Sequence, residues 1–329
     1  MKYYLSTLAL ALLLAVTTYA QDSIKLVPAA GNTPVVKKWP ALIKTDAALG
    51  ISAKTRARLK KTANPPNNIA LFAVDKRTAE DAGNSDVIIV ISVDPTTGKI
   101  KMASIMRDTY VNIEGKGMDK INAAYTTGGP QLAIKTINQN FDMDIKDYMN
   151  VDFYSAAKIV DALGGVQINV KPAEIHYLNK FLDEVSIYDK VAPVYVKEPG
   201  LQKLTGKQAV AYTRIRYVGN GDQERTERQR NVLIALFGQL KAAGQDAFPV
   251  FSKVILPNIE TSMASMDMLN FAGGIFYSKS KTIQQSRFPL DEQAHGKRIN
   301  NIWYLVTDLP AATASLHQFI YDNGTASKK

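Results

Sequence analysis

The chain has 329 residues, of which 46% are hydrophobic and 21% are charged, a composition typical of a folded globular body with a full core. It contains no cysteine, so disulfides, thiol catalysis and cysteine-bound metal centres are excluded. The net charge of +10 is uneven, because residues 1–62 hold ten Lys and Arg against two Asp. The rest of the chain is therefore close to neutral.

The first 22 residues have the pattern of an export signal. Lys2 is followed by an apolar run from Leu8 to Val16 and then by the small-residue site Thr18-Tyr19-Ala20. The uncharged stretch 3–21 would also be about 28 Å long as a helix, enough to cross a bilayer. We predict that residues 1–22 are either a cleaved signal peptide or a membrane anchor, and that the body lies outside the cytoplasm.

Residues 23–63 carry most of the basic excess and end at Asn64-Pro65-Pro66. We predict that they form a basic stalk, and that the folded domain spans 64–329. A basic segment beside a membrane surface would attract anionic headgroups or wall polymers, although a solvated linker without a partner fits the same composition. Nucleic acid is not an expected partner, because the protein is exported and its body is nearly neutral. We expect a monomer.

The elements after Pro66 alternate between strand and helix patterns. Apolar runs separated by turn residues predict strands at 69–74, 87–93, 99–105, 148–153 and 166–170. Helices are predicted from Gly128-Gly129-Pro130 onward, at 154–163, at 205–212 and at 226–240. Residues 172–203 are predicted to be irregular. The β–α–β order indicates an α/β layered fold.

Two aspartates and an arginine are predicted to meet at one sheet edge. If the first three strands form an antiparallel meander, Asp75 ends the first strand, Asp86 begins the second and Arg107 follows the third. Two adjacent carboxylates repel unless a cation lies between them, and Mg²⁺ commonly takes one or two carboxylates together with phosphate oxygens. The alternative is that Asp75 and Asp86 only cap the loop between the strands.

A second group of residues is rich in arginine. Five arginines lie within 17 residues that contain no lysine, although the chain has 11 arginines against 29 lysines. They are Arg214, Arg216, Arg225, Arg228 and Arg230. Preference for arginine indicates bidentate recognition of an oxyanion such as phosphate. A surface network of ion pairs with Asp222, Glu224 and Glu227 is the alternative, but three acids cannot neutralise five arginines.

Several linked motifs between about residues 67 and 240 resemble the LytR-CpsA-Psr family of cell-wall glycopolymer transferases. They are Ala73-Val74-Asp75-Lys76-Arg77, Ser85-Asp86, Ser104-Ile105-Met106-Arg107-Asp108-Thr109, Asp119-Lys120-Ile121-Asn122-Ala123-Ala124-Tyr125, Asp161-Ala162-Leu163-Gly164-Gly165-Val166, and Arg214-x-Arg216 followed by Asp222-x-x-Arg225-x-x-Arg228-Gln229. Three positions depart from the family pattern: Asn84 replaces an arginine, Met106 a proline and Ala73 a glycine. The change at Asn84 removes one expected phosphate contact.

The resemblance implies a three-layer α-β-α sandwich with a mixed central sheet and a hydrophobic tunnel for a polyprenyl chain. It implies that Asp75 and Asp86 serve Mg²⁺. It also implies that Arg107, Arg214, Arg216 and Arg225 hold the pyrophosphate, and the arginine cluster adds Arg228 to this set. The implied reaction joins teichoic acid or capsular polymer, carried on a polyprenyl pyrophosphate, to a peptidoglycan hydroxyl.

Phosphoryl transfer of this kind needs positioning and charge neutralisation more than covalent catalysis. Arg107 would stabilise charge on the phosphate, and Asp108 or Asp222 would act as a base, although structural capping of the adjacent loop accounts equally well for either aspartate. Two other functions fit the same residues in part. Water would be the acceptor in a pyrophosphatase, and an envelope protein that binds lipid or polymer would perform no transfer.

Overall fold

The computed structural model describes residues 39–62, 64–75, 83–187, 191–244, 247–276 and 282–322. The predicted signal or anchor at 1–22 lies outside the described residues, as does most of the loop predicted at 76–85. Within the described ranges, no helix has both the length and the apolar character that crossing a bilayer requires.

A six-stranded mixed sheet forms the centre of the fold. Its strands, in spatial order, are β10 (Ile283–Phe288), β3 (Ile100–Ile105), β2 (Asn84–Val93), β1 (Asn67–Asp75), β6 (Asp147–Asp152) and β9 (Glu260–Thr261). Strands β1, β2 and β3 form the predicted antiparallel meander, while β1 pairs with β6 and β3 with β10 in parallel. Three two-stranded ladders accompany the sheet: β4 (Tyr110–Ile113) with β5 (Gly117–Lys120), β7 (Val166–Val170) with β8 (Gly200–Leu204), and β11 (Ala294–Ile299) with β12 (Ile302–Thr307).

Helices cover both faces of the sheet. They are α1 (Ala53–Lys60), α2 (Ala123–Phe141), α3 (Phe153–Ala162), α4 (Ile175–Ser186), α5 (Gly206–Arg214), α6 (Asp222–Ala243), α7 (Ala247–Val250), α8 (Ser265–Phe276) and α9 (Leu309–Tyr321). Because successive side chains of a strand point to opposite faces, Phe72 packs with α2 and α9, and Leu71 packs with α6 and α8. The predicted three-layer α-β-α arrangement with a mixed sheet is confirmed.

The predicted helix start at Gly128-Gly129-Pro130 is instead a kink within α2. Gly128 and Gly129 have non-helical backbone angles, and Gly129 has a φ of 63°. Trp39 lies directly on Gly129, where a Cβ atom would come within 2.4 Å of the indole ring. The glycines therefore allow the segment before α1 to pack closely against α2.

Residues 39–62 pack against the domain and do not form a separate stalk. Leu49 is fully buried and Ile51 nearly so, and both belong to the core under α2. Asn138 in α2 donates a hydrogen bond from Nδ2 to the Leu49 carbonyl at 2.8 Å. The boundary predicted at residue 64 is therefore too late, because a high basic content hid a short apolar segment that completes the core.

Residues 172–203, predicted to be irregular, contain helix α4 and strand β8. Leu178, Phe181 and Leu182 recur at helical spacing and are buried against the β7–β8 ladder and α5. The polar residues between them obscured this pattern. The error matters for function, because α4 and the turn before it contact the arginine cluster.

Candidate active site

A β-bulge places Asp86 at the sheet edge. Ala73 of β1 pairs with Val87, whereas the next residue, Val74, pairs with Ser85, so Asp86 is the extra residue on β2. Bulges re-aim side chains and are frequent beside active sites. Asp75 is the last residue of β1 and pairs through its backbone with Asn84, but its side chain lies outside the described residues. The sheet thus brings the two aspartates close in register, as predicted.

Arg107 joins three carboxylates at this edge. Its Nη1 donates to Asp86 Oδ1 at 2.5 Å, its Nη2 lies 3.5 Å from Asp222 Oδ1, and its Nε lies 3.6 Å from Asp108 Oδ2. Burial works against the charged guanidinium, but the charges of Asp222, Asp86 and Asp108 outweigh it and raise the pKa of Arg107. Arg107 is therefore a fixed cation that connects segments more than a hundred residues apart.

Helix α6 delivers a second arginine to the same cluster. The helix begins at Asp222, four residues before the predicted start, because Thr226 Oγ1 donates to the Gln223 carbonyl instead of capping the helix. Arg225 Nη2 pairs with Asp222 Oδ1 at 3.0 Å. Burial, together with the neighbouring charge of Arg107, lowers the pKa of Arg225. An added anion would relieve this repulsion between the two arginines.

Arg107, which is partly buried, and Arg225, which is buried, each have a donor atom without a hydrogen bond in the described part of the chain. The Nε atoms of Arg107 and Arg225 are buried and make no hydrogen bond with any described residue. Buried polar groups in folded proteins are almost always paired, so such atoms indicate a missing partner. An oxyanion with several acceptor oxygens would satisfy both donors.

An apolar cavity of 180 Å³ lies between the sheet and the helices beside this cluster. Its lining is aliphatic and aromatic apart from Thr213 and Gln229, and includes Leu71, Ala73, Val87, Ile91, Phe153, Ile159, Val232, Leu236, Phe271 and Ile275. Val87 follows Asp86 directly, and Gln229 lies one helical turn after Arg225. The cavity and the charged cluster therefore adjoin each other. A site with an apolar chamber and a cationic mouth suits an amphiphile with an anionic head.

Arg214 lies at the cavity rim, at the end of α5. Its guanidinium packs 5.7 Å from the ring centroid of Phe153, which lines the cavity, and 5.2 Å from that of Phe181. It also pairs with Glu184 at 3.2 Å, although both side chains are partly exposed. Arg216, further along, is exposed and lies over Tyr217. The partners of Arg214 and Arg216 thus differ from the Asp86, Asp108 and Asp222 carboxylates that hold Arg107 and Arg225, so the five arginines are not one compact cluster.

Arg228 is held by protein partners on every side, contrary to the predicted pyrophosphate contact. Its Nε donates to Glu174 at 2.7 Å, its Nη2 to Glu224 at 2.8 Å, and its Nη1 to the Ile215 carbonyl at 3.0 Å. Glu174 is 1% exposed and precedes α4, in the segment predicted to be irregular. Glu174 is distant from Arg228 in the sequence. A count of the neighbouring acids alone therefore overestimated the number of arginines that are free to bind phosphate.

Arg230 is also committed to the core. It donates to Gln285 of β10 at 2.8 Å and to Ser104 of β3 at 2.7 Å. Burial lowers its pKa to about 10. Arg230 thus fastens α6 to the sheet, and the oxyanion site reduces to Arg107 and Arg225, with Arg214 and Arg216 further out.

The predicted bases both belong to the cluster, with different surroundings. Asp108 is buried and pairs with Lys120 Nζ at 2.7 Å, a contact that the sequence did not single out. Lys120 belongs to the Asp119–Tyr125 motif, which spans the end of β5, the following turn and the start of α2. Asp222 has a side chain that is 20% exposed, against 11% for Asp108. Asp222 is thus the more accessible carboxylate.

Asn84, which stands where the resembling family has an arginine, is exposed and accepts a hydrogen bond from Thr126 Oγ1 at 2.6 Å. Thr126 Oγ1 also lies 3.1 Å from the Gly83 carbonyl oxygen. Asn84 therefore ties the start of β2 to α2 and supplies no cation.

The donor chemistry at the bulge fits Mg²⁺, because Asp86 offers a hard oxygen ligand beside the end of β1. Across the described ranges, no group of three or more acidic or histidine side chains is close enough to hold a metal ion. Any such ion would accordingly take oxygens of a bound phosphate as well as carboxylates.

Comparison with known proteins gives one consistent result. A sequence model of the LytR_cpsA_psr family matches residues 37–319. The chain is 34% identical to a polyisoprenyl-teichoic acid–peptidoglycan teichoic acid transferase TagU of Oceanobacillus iheyensis, with 73% of this chain and 70% of the relative covered. It is 35% identical to the TagU of Bacillus licheniformis, covering 74% and 73%. The fold is similar to that of the LytR-CPS2A-psr family protein YwtF (TagT) with bound octaprenyl pyrophosphate lipid, with a TM-score of 0.60, 21% identity and coverage of 85% and 99%.

Proposed function

The chain belongs to the LytR-CpsA-Psr family, and from this premise we propose that it transfers a glycopolymer from a polyprenyl-pyrophosphate carrier to peptidoglycan. The family resemblance read from the sequence is confirmed. The TagU relatives are named as transferases of teichoic acid to peptidoglycan, so an anionic wall polymer is the expected transferred group. Such a reaction occurs in the cell envelope.

One observation carries the donor assignment: an apolar cavity adjoins Arg107 and Arg225, whose buried Nε atoms make no hydrogen bond with the described residues. Isoprenoid units of the carrier nearest the pyrophosphate would enter the cavity, since their only favourable environment outside a membrane is apolar. The pyrophosphate would bind Arg107 and Arg225, with Arg214 at the rim. Arg216 would contact the donor further from the cavity. Arg228 is not part of this proposal.

The transfer forms one bond and breaks one. An oxygen of an acceptor hydroxyl bonds to the phosphorus that carries the glycan, and the bond from that phosphorus to the bridging oxygen breaks. The bridging oxygen leaves with polyprenyl phosphate, while the hydroxyl proton goes to a carboxylate. We assign that role to Asp222, because it is the more accessible of the two predicted bases.

Arg107 and Arg225 would stabilise the negative charge that develops on the leaving pyrophosphate oxygen. Their geometry is fixed in advance by Asp86 and Asp222, so little reorganisation is needed when the substrate binds. Asp75 and Asp86 are the residues that would hold Mg²⁺. When bound, the ion would neutralise further charge on the phosphate oxygens. We propose that the protein acts as a monomer at the outer surface of the cytoplasmic membrane.

The test is a product analysis with the full chain in detergent. The enzyme is incubated with a polyprenyl-pyrophosphate-linked glycan, with or without uncrosslinked peptidoglycan strands. We expect polyprenyl phosphate and glycan-linked peptidoglycan only when both substrates are present. Release of glycan phosphate into water at the same rate without peptidoglycan would identify a pyrophosphatase instead. Binding without any product would identify a carrier protein.

A further inference from the structure

The β11–β12 hairpin, residues 294–307, is attached directly to the catalytic segment. The backbone N–H of Leu305 donates to the Asp108 carbonyl at 2.9 Å, and Leu305 forms a parallel bridge with Thr109. Tyr304 is buried against Tyr110, with ring centroids 4.7 Å apart. The hairpin is thus a firm extension of the segment that carries Arg107 and Asp108.

The hairpin is also rigid along its own length. Its two strands pair without interruption from Ala294–Thr307 to Ile299–Ile302. Asn300 and Asn301 form the two-residue turn with φ angles of 49° and 66°, the conformation that matches the twist of a tight hairpin. Side chains on its surface therefore keep a fixed position relative to the site.

Trp303 makes a flat, exposed surface on this hairpin. The residue is 42% exposed, although tryptophan is usually well buried. A Cβ atom at Gly296, on the neighbouring strand, would lie 2.9–3.1 Å from atoms of the indole ring. The ring consequently lies against the backbone of Gly296 and does not project from the tip, and its remaining surface is open to solvent.

The charge around this ring has one sign. Residues 294–307 include His295, Lys297 and Arg298 and no acidic residue. All three basic side chains are exposed. Arg298 pairs directly with Trp303 and shares its face of the hairpin, whereas His295 and Lys297 alternate to the opposite face. The face that carries Trp303 thus combines an aromatic ring with the cation Arg298, which suits a partner that has both flat apolar faces and negative charges.

We propose that Trp303 is a stacking platform for a sugar ring of the acceptor glycan strand. The C–H face of a pyranose is flat and slightly positive, and it complements the negative face of an indole. Carboxylates on the peptide stems would pair with Arg298, which is on the same face as Trp303. The identity of this glycan as acceptor rests on the proposed function. A membrane anchor would instead project its ring beyond the backbone, whereas this ring lies close against Gly296.

The experiment measures glycan binding without donor lipid, so it does not depend on transfer. The full chain in detergent is titrated with tetra-N-acetylchitotetraose and with soluble peptidoglycan strands, and Trp fluorescence and NMR shifts are followed. Trp303→Ala should weaken binding by about tenfold. Trp303→Phe should retain part of the affinity, and Gly296→Ala should weaken binding because its methyl group displaces the indole. Ile302→Ala is the matched control, because Ile302 is a neighbouring residue that is 50% exposed.

The outcomes separate the alternatives. Loss in Trp303→Ala and Gly296→Ala with retention in Ile302→Ala supports the platform. Equal glycan affinity in wild type and Trp303→Ala overturns it. Equal loss of binding to anionic phospholipid vesicles in Trp303→Ala and Ile302→Ala, with unchanged glycan affinity, also overturns it and identifies a membrane contact. Failure of the proposed function would be seen separately, as absent transfer by the wild type.

Discussion

Arg228 and Arg214 stand 14 residues apart in the same arginine-rich segment, yet the structure predicts opposite consequences when each is replaced by methionine. Arg228→Met removes the cation paired with Glu174, which is 1% exposed and keeps one hydrogen bond, from the Lys171 backbone N–H at 2.8 Å. Breaking a buried ion pair by removing one member typically costs about 3–5 kcal/mol. Methionine fills most of the volume, so the loss comes chiefly from the unpaired carboxylate and not from a cavity.

For a domain of this size, that cost corresponds to a fall in Tm of roughly 5–8 °C. The affinity of the protein that remains folded for polyprenyl pyrophosphate should change by less than about threefold, because Arg228 faces Glu174, Glu224 and a backbone carbonyl.

Arg214→Met should behave in the reverse way. The Arg214 and Glu184 side chains are 27% and 45% exposed, and ion pairs of this kind contribute less than about 1 kcal/mol. If Arg214 binds the pyrophosphate, its loss should weaken the lipid affinity by roughly tenfold to a hundredfold. Arg214→Lys should fail nearly as badly, because lysine lacks the planar fork.

Thermal unfolding and lipid-binding titrations on the same preparations measure both quantities. Polyprenyl monophosphate serves as the reference ligand, since it has only one phosphate to contact. An Arg228→Met protein with wild-type Tm and lost pyrophosphate affinity would refute the division of the arginines. So would an Arg214→Met protein that melts early but binds both lipids as the wild type does.

Asp86→Ala should abolish the stimulation of turnover by Mg²⁺ while thermal unfolding stays cooperative, and full activity at saturating lipid would remove the metal assignment. A chain that begins at Asn64 should not unfold cooperatively, because it lacks Leu49 and the packing that Leu49 provides. A chain that begins at Trp39 should unfold cooperatively. Equal circular-dichroism melting curves for the two chains would refute this prediction. Burial, followed by the charge of Arg58, lowers the pKa of His317 below its ordinary value of 6.5. The imidazole accepts a hydrogen bond from Arg58 Nη1 at Nδ1 and donates one from Nε2 to the Phe141 carbonyl. Its contribution to stability is therefore full above pH 6.5 and is lost as the pH falls, so urea unfolding between about pH 7 and pH 5 should depend less on pH in His317→Gln.

The sequence by itself determined the chemistry of this protein. The excess of arginine over lysine between residues 214 and 230 indicated an oxyanion site, because only the guanidinium offers a planar pair of donors. The order of apolar runs predicted the meander that places Asp86 beside Arg107, since antiparallel neighbours return to the same edge. These inferences depend on residue type and local periodicity, which the linear sequence contains in full.

The tertiary structure alone decided which arginines are available. Glu174 lies 54 residues before Arg228 and neutralises it, and no local pattern predicts a partner at that distance. The basic segment at 39–62 joins the core through Leu49 and Ile51, and the cavity is assembled from strands and helices spread across the chain. Long-range pairing and shared burial are properties of the packed chain. Residue type can therefore predict what a side chain is able to bind, but not which protein groups already pair with it in the fold.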